Sequence, residues 1–90
     1  MLPDMQITWK PAHVEPGENR SQLPDSVFAF PLQRKEPLTD AAHVRSAIAR
    51  FAAVQHVDDR ERSQAFANIK AAAGYYGVAL QATSWHDLVA

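Results

Sequence analysis

Two helix-start signals, each followed by an apolar stripe, constrain this chain more than any other feature. In the second signal Asp58 is a good N-cap, and Glu61 three residues later completes the pattern of a capping box. Gly77 is well placed to end this helix, so we predict a helix from about Asp59 to Tyr76, with Gly74 as the alternative end. Its predicted inner face consists of Arg62 (through its aliphatic stem), Ala65, Phe66, Ile69, Ala72, Ala73 and Tyr76.

The first signal predicts an earlier helix. Thr39 is a good N-cap, and Asp40 follows it in the first turn, where a carboxylate interacts favourably with the helix dipole. The helix should run to about Gln55. The short linker at His56 and Val57 then makes the two helices antiparallel neighbours. The apolar stripe of the first helix consists of Val44, Ile48, Phe51 and Val54.

Three short apolar segments have extended character. Val27–Phe30 lies between a turn signal and Pro31, Val78–Gln81 alternates in polarity, and Gln6–Trp9 is a possible strand near the start. Val78–Gln81 could pair with Val27–Phe30 or with Ile7–Trp9, which gives a small two- or three-stranded β pairing. Gln33–Glu36 is predicted to be a polar turn.

Ninety residues fit one small domain. Residues 1–22 are rich in proline and polar side chains, which predicts an extended or partly disordered N-terminal arm that Trp9 can anchor. Residues 23–90 are expected to form a single small helical domain, with a short last helix capped by Ser84 and Asp87. The predicted fold class is mainly α: an antiparallel helix pair, a short C-terminal helix, a small β pairing and an extended arm.

Composition restricts the classes of function. The formal net charge is −1, which lacks the basic excess typical of nucleic-acid-binding proteins. The absence of cysteine excludes disulfides and thiolate zinc sites. We find neither a signal-peptide pattern nor an apolar run of about 20 residues, the length that a membrane span needs. These features predict a soluble, cytoplasmic protein.

Candidate catalytic and metal-binding groups are sparse. The four histidines show no spacing typical of a helical zinc site. Ser26, His43 and Asp40 can be combined into a Ser/His/Asp trio, but no nucleophile elbow or oxyanion loop accompanies them. We therefore expect no metal, no cofactor and no enzymatic activity. Any role of His43 or His86 beyond structure stays open.

A basic cluster is the more serious candidate site. Arg34 and Lys35 precede the first helix, and Arg45 and Arg50 lie on it. Such residues can bind phosphates, and aromatic side chains can stack on bases. The simpler interpretation is a solvated face with local ion pairs, because acids alternate with the bases. The aromatic candidates are Trp9, Tyr75 and Trp85.

A second candidate is an apolar surface for a protein partner. Phe28, Phe30, Leu32 and Leu38 are many large apolar groups for one proline-bounded segment. They form a surface patch if they are not all buried. We favour a core role for Phe28 and Phe30, because so small a domain needs them, and leave Leu32 open.

One long motif extends over most of the chain after the N-terminal arm. It consists of Leu23–Ser26, Phe28–Pro31, Arg34–Lys35, Pro37–Arg45, Ala47–Phe51, Tyr76–Val78 and Trp85–Leu88. This motif resembles a small bacterial domain of unknown function that is also seen appended to some phage head-associated proteins. The resemblance implies a small helical module associated with larger assemblies, and it supplies no catalytic residues. Gly74 departs from it, because a better helix former is expected there.

These observations lead to two functional hypotheses. The first is a non-enzymatic protein–protein interaction or accessory module with an unknown protein partner. The alternative is a weak nucleic-acid-binding module that uses Arg34, Lys35, Arg45 and Arg50. Salt dependence distinguishes them, because phosphate binding weakens steeply with salt whereas apolar contact does not.

Overall fold

The structure, a computed structural model, describes residues 7–14 and 19–89. Within them the chain forms three α-helices, short 3-10 turns and one two-stranded antiparallel sheet. The prediction of a mainly helical fold is therefore confirmed only in part. The strands are β1 (Phe28–Phe30) and β2 (Lys35–Pro37), and the helices are α1 (Ala41–Arg50), α2 (Asp59–Tyr76) and α3 (His86–Val89).

Helix α2 has the predicted bounds. The Asp58 carboxylate accepts a hydrogen bond from the Glu61 amide at 2.8 Å, and the Glu61 carboxylate accepts one from the Asp58 amide at 3.0 Å. This reciprocal pair satisfies amides that have no partner inside the helix. At the other end, Gly77 adopts a left-handed conformation (φ +71°) and donates its amide to the Ala73 carbonyl. Both predicted end signals are confirmed.

Helix α1 begins one residue later than predicted. Asp40, and not Thr39, is the N-cap: its backbone is extended, and its carboxylate accepts a hydrogen bond from the His43 amide at 2.8 Å. The prediction of a Thr39 cap is therefore wrong. Both side chains can cap a helix, and it is the extended backbone of Asp40 that makes Ala41 the first helical residue.

Helix α1 also ends earlier than the predicted Gln55. The backbone leaves the α conformation at Arg50, and a 3-10 turn follows over Phe51–Ala53. The Phe51 amide donates to the Ile48 carbonyl, which tightens the last turn. In this position the Phe51 ring is buried, with its centroid 5.8 Å from that of Phe30.

The sheet is a local hairpin. β1 and β2 are antiparallel, with Phe28 opposite Pro37 and Phe30 opposite Lys35. The predicted pairing of residues 78–81 with Val27–Phe30 or with Ile7–Trp9 is wrong, because neither 78–81 nor 7–9 forms a strand in the described part of the chain. Residue 6 of the first segment lies outside the described residues.

The sequence did not predict this hairpin, because its backbone conformation is unusual for the residues it contains. Arg34 (φ 53°) and Glu36 (φ 57°) both lie in the left-handed region, which non-glycine residues rarely adopt. In addition, the sequence between the strands does not contain the Asn-Gly or Asp-Gly pair that is typical of a tight hairpin. The predicted polar turn over Gln33–Glu36 is thus partly strand.

A single main core joins the hairpin, α1 and α2. Its small side chains, such as Ala47 and Ala72, are fully buried. Trp85 and Leu88 pack against this core, as predicted. The antiparallel arrangement of α1 and α2 stays a prediction. The buried members are Trp9, Ala29, Phe30, Leu38, Val44, Ala47, Phe51, Ala65, Ile69, Ala72 and Ala73.

Part of the N-terminal arm packs on this core. The Trp9 ring is buried and its indole N–H donates to the Leu38 carbonyl at 3.0 Å. The Lys10 amide donates to the Ser26 carbonyl at 2.9 Å. The predicted anchoring by Trp9 is confirmed. Residues 1–6 and 15–18 of the predicted arm lie outside the described residues, and the division after residue 22 stays a prediction.

A fully buried asparagine connects the arm to the domain. The Asn68 carbonyl oxygen accepts hydrogen bonds from the Thr8 and Trp9 amides at 2.8 and 2.9 Å. Its amide nitrogen donates to the Thr8 hydroxyl and the Ala29 carbonyl, both at 3.0 Å. All four hydrogen-bonding positions of the side chain are therefore used.

Replacement of Asn68 should destabilise the whole protein. Asn68→Ala leaves buried amides and a carbonyl without partners, so we expect the free energy of unfolding to fall by about 2–4 kcal/mol. Urea denaturation followed by tryptophan fluorescence measures this change. Lys70→Ala, at an exposed position of the same helix, is the control. Equal effects of the two substitutions would contradict this role of Asn68.

The two glycines near the end of α2 should respond in opposite ways to alanine. A Cβ atom at Gly74 meets no atom within 4 Å, and this glycine lies inside the helix. Gly74→Ala should therefore stabilise the protein by about 0.5–1 kcal/mol. Gly77→Ala should destabilise it by about 1 kcal/mol, because alanine disfavours positive φ. Thermal unfolding of both variants tests this, and a shared sign of the two changes would refute it.

The Asp40 cap should make stability depend on acid pH. The hydrogen bond from the His43 amide, then that with the His43 side chain, lowers the pKa of Asp40. The contribution is therefore complete above the unfolded pKa of about 3.9 and is lost as pH falls through the lower folded value. The substitution Asp40→Asn keeps a side-chain oxygen that can cap the helix, but the asparagine side chain does not ionise.

We expect the difference in unfolding free energy between wild type and Asp40→Asn to shrink as pH falls below about 4. Urea denaturation between pH 6 and pH 3 measures it. A difference that stays constant over this range would show that Asp40 ionisation does not stabilise α1.

Candidate functional site

The hairpin turn is held by Arg34. Its guanidinium forms an ion pair with Asp25 and donates from Nη2 to the carbonyls of Leu23 at 2.9 Å and Arg20 at 3.1 Å. The guanidinium also lies over the Phe28 ring, 4.6 Å from its centroid. These contacts use the planar donor set of arginine and one of its faces. Arg34 is thus committed to the structure of the turn.

Leu32 stands at the tip of this turn. It is 80% exposed, the largest exposed fraction among the large apolar side chains of the described residues. Pro31 precedes it and restricts the backbone. A shallow hollow of about 400 Å³ lies here, formed by three separate parts of the chain. The hollow is lined by Thr8, Asp25, Ser26, Pro31, Leu32 and Gln64.

The two candidate phenylalanines are core residues. Phe30 belongs to the main core, and Phe28 belongs to a smaller cluster with Leu23 and Val27. Both rings have essentially no exposure, so they cannot form a surface patch in this conformation. The core interpretation favoured by the sequence is confirmed for both, and Leu38 is buried as well. Leu32 alone of the four remains on the surface.

Two of the four predicted basic residues line one cleft. Lys35 donates to the Gln55 carbonyl at 2.7 Å, and Arg50 lies 3.8 Å from a Glu36 oxygen. Both side chains line this cleft, whereas Arg34 contacts the hairpin turn and the exposed Arg45 is not among the lining residues. The use of all four as one binding cluster stays a prediction.

That cleft lies between the hairpin and α1 and has a volume of about 440 Å³. It includes three permanently charged cations, one of which, Arg20, was missed by the sequence analysis. Arg20 lies far from the others in the sequence, so no local pattern could have grouped them. The lining residues are Arg20, Lys35, Glu36, Pro37, His43, Ser46 and Arg50.

The candidate stacking residues also have different environments. Trp9 is buried and cannot stack on a base in this conformation. Trp85 lies against the His86 ring with centroids 3.8 Å apart, and the Arg62 guanidinium lies 5.7 Å from its centroid. Tyr75 is the exposed ring, at 63%, and contacts Trp9 edge-on.

A cavity of about 730 Å³ lies beside the start of α1. His43 Nδ1 lies 2.8 Å from the Asp40 carboxylate here. Ser26 lines the hollow beside Leu32 instead, so the Ser/His/Asp trio considered from the sequence is not assembled. The cavity is lined by Pro11, Ala12, His13, Val14, Thr39, Asp40, His43, Tyr75 and Tyr76.

The pKa values of Tyr76 and Asp87 are both shifted further from pH 7. Burial, followed by the charges of Tyr75 and Asp40, raises the pKa of Tyr76. Hydrogen bonds from Thr83 and Ser84 lower the pKa of Asp87, which serves the start of α3. The Asp87 carboxylate therefore stays ionised near pH 7, and the Tyr76 phenol stays neutral.

The described residues contain neither a cluster of metal ligands nor a helix suited to cross a membrane. Across 7–14 and 19–89, no three histidine or carboxylate side chains converge on a point that could hold a metal ion. In the described part of the chain, none of the helices combines the length and apolar character that a membrane crossing requires.

Comparison with known proteins places most of the chain in one family. Residues 6–83 match the model of a family described as being of unknown function (DUF6582). This range includes the arm segment, the hairpin, α1 and α2. Neither the comparison with curated proteins nor that with solved structures gave a match. The chain therefore belongs to the family of unknown function DUF6582.

Proposed function

We propose that this protein is a non-enzymatic protein–protein interaction module that acts in the cytoplasm, and that Leu32 is the centre of its contact surface. The observation that carries the proposal is the 80% exposure of Leu32. Leu32 lies on a turn in which the Arg34 guanidinium donates a hydrogen bond to the Leu23 carbonyl. The cysteine-free composition suits a reducing compartment.

The rigidity of the turn supports an interaction role. A large apolar side chain exposed to water is unfavourable, and a partner that buries it gains about 25 cal/mol per Å² of apolar area removed from water. Because Arg34 holds the backbone on both sides of the turn, little conformational entropy is lost on binding. Leu32 is thus suited to act as a preorganised anchor.

The hollow beside Leu32 indicates what kind of partner fits. Pro31 and Leu32 are apolar, and Thr8, Ser26 and Gln64 surround them with hydrogen-bonding groups. An apolar centre with a polar rim is the usual organisation of a protein interface. We expect a partner with an apolar pocket for Leu32 and polar groups around it.

The alternative, nucleic-acid binding, has less support. Arg34 is engaged with Asp25 and with backbone carbonyls, Trp9 is buried, and Arg45 is separate from Lys35 and Arg50. The net charge of −1 gives little general attraction to a polyanion. Nucleic-acid binding is therefore the alternative that the capture experiment must distinguish from protein binding.

Leu32→Asp should abolish partner binding and leave the fold intact. The tagged full chain is used to capture binding partners from lysate of the source cells, with and without nuclease treatment and at low and high salt, with mass spectrometry as the readout. A partner held through apolar contact survives high salt but is lost with the aspartate. Affinity for the purified partner should fall at least tenfold, which corresponds to about 1.4 kcal/mol.

Gln81→Asp is the matched control, since it adds the same charge at an exposed position outside the hollow. It should retain the partner, and both variants should show wild-type thermal unfolding. Two results would overturn the proposal. One is a salt-resistant partner that binds Leu32→Asp normally, and the other is recovery only of nucleic acid and nuclease-sensitive proteins.

A further inference from the structure

The cleft between the hairpin and α1 is lined mainly by charged and polar side chains. Three permanent cations, Arg20, Lys35 and Arg50, line it together with the single carboxylate of Glu36. The cations come from a 3-10 turn, a strand and a helix, so the fold, and not a basic run in the sequence, brings them together.

Two of the cations are positioned by neutral groups. Lys35 Nζ donates to the Gln55 carbonyl at 2.7 Å, and Arg20 Nη2 donates to the Arg34 carbonyl at 3.0 Å. A backbone carbonyl fixes the direction of a cationic side chain but does not cancel its charge. The hydrogens that remain on each group are free to bind an anion.

The third cation is only loosely paired. Arg50 Nε and the nearest Glu36 oxygen are 3.8 Å apart, which exceeds the distance of a normal N–H···O hydrogen bond. The side chain of Arg50 is largely exposed, whereas that of Glu36 is mostly covered. Arg50 can therefore reorient towards a bound anion, and Glu36 offsets only one of the three positive charges.

Helix α1 contributes two further groups to the same wall. His43, Ser46 and Arg50 are three and four residues apart, so they lie on one face of the helix. The Ser46 hydroxyl can donate to an anion, and the His43 ring nitrogen that is not engaged by Asp40 is a second polar group. The cleft thus offers several donors around a small volume.

We propose that this cleft binds the phosphoryl group of a small phosphate monoester. A phosphoryl group has nearly two negative charges near pH 7 and three acceptor oxygens, which matches three cations and a hydroxyl. A carboxylate has one charge and two oxygens, and would leave more of these donors unused. The site is separate from the hollow beside Leu32, so the proposal stands independently of the proposed function.

A small ligand fits better than a nucleic acid. Within its described residues, the cleft is bounded by Glu36 and Pro37 and has no phenylalanine, tyrosine or tryptophan on which a base could stack; its one ring is that of His43, which is engaged by Asp40. Arg45, which would extend a phosphate-binding stripe along α1, lies outside the cleft. A polyanion would therefore meet one localised group of cations and an otherwise slightly acidic protein.

Titration of the full chain with defined anions tests this proposal. Inorganic phosphate and O-phosphoserine are added to isotope-labelled protein, with sodium chloride at matched ionic strength as the reference, and shifts of the arginine side-chain N–H signals are followed by NMR. We expect saturable shifts of Arg20 and Arg50 with both phosphate compounds and none with chloride. Stronger binding of the monoester than of inorganic phosphate would identify the esterified form as the ligand.

Variants on one helix provide the control. Arg50→Gln and Ser46→Ala should weaken phosphate binding, Arg50→Gln by at least tenfold, and Arg45→Gln should leave it unchanged. Arg45 and Arg50 carry the same charge on α1 and differ in whether they line the cleft. Thermal unfolding verifies that each variant is folded, and Ser46→Ala, at an exposed position, keeps the test decisive if Arg50→Gln is unstable.

Three results would overturn the proposal: shifts that chloride reproduces, equal losses in Arg45→Gln and Arg50→Gln, or a single-stranded oligonucleotide that binds far more tightly than the monoester with loss in Arg45→Gln. The last would assign the cations to nucleic-acid binding. None of these results depends on Leu32, so failure here leaves the interaction proposal to its own test.

Discussion

The structure depends above all on the buried side chain of Asn68. Its four hydrogen bonds connect α2 to the arm at Thr8 and Trp9 and to β1 at Ala29. In a small domain with many alanines the apolar core is thin, so a fully satisfied polar group in its centre specifies one arrangement of the chain. The arm is for this reason an integral layer of the fold, and Trp9 closes one side of the core.

The arm and the hairpin in turn decide which surface groups are available. Arg34 is directed into the turn by Asp25, the carbonyls of Arg20 and Leu23, and the Phe28 ring. This leaves Leu32 projecting into solvent on a rigid base. The carbonyls of Arg34 and Gln55 hold Arg20 and Lys35 beside the cleft without cancelling their charges. The hairpin thus contributes to both the apolar tip and the cationic cleft, and the segment after α1 supplies the carbonyl that holds Lys35.

Sequence reasoning succeeded where local interactions decide. The capping box at Asp58 and the glycine at Gly77 predicted both ends of α2, because a cap is formed within a single turn. It missed Asn68, although this residue lies three after Ala65 and four before Ala72 on the predicted inner face. Its polarity hid it, since a buried amide is acceptable only when partners from distant segments reach it.

By itself, then, the sequence determined where the two main helices lie and both ends of α2, because spacing and capping act over a few residues. It also identified Trp9 as the anchor of the arm, because so large an apolar ring favours burial. Only the tertiary structure decided that β1 pairs with Lys35–Pro37, and that Asp40 caps α1. It also decided the separation of Arg34 and Arg45 from the cleft. Strand pairing and side-chain direction depend on what the rest of the chain packs against them, and this is not encoded in any short window.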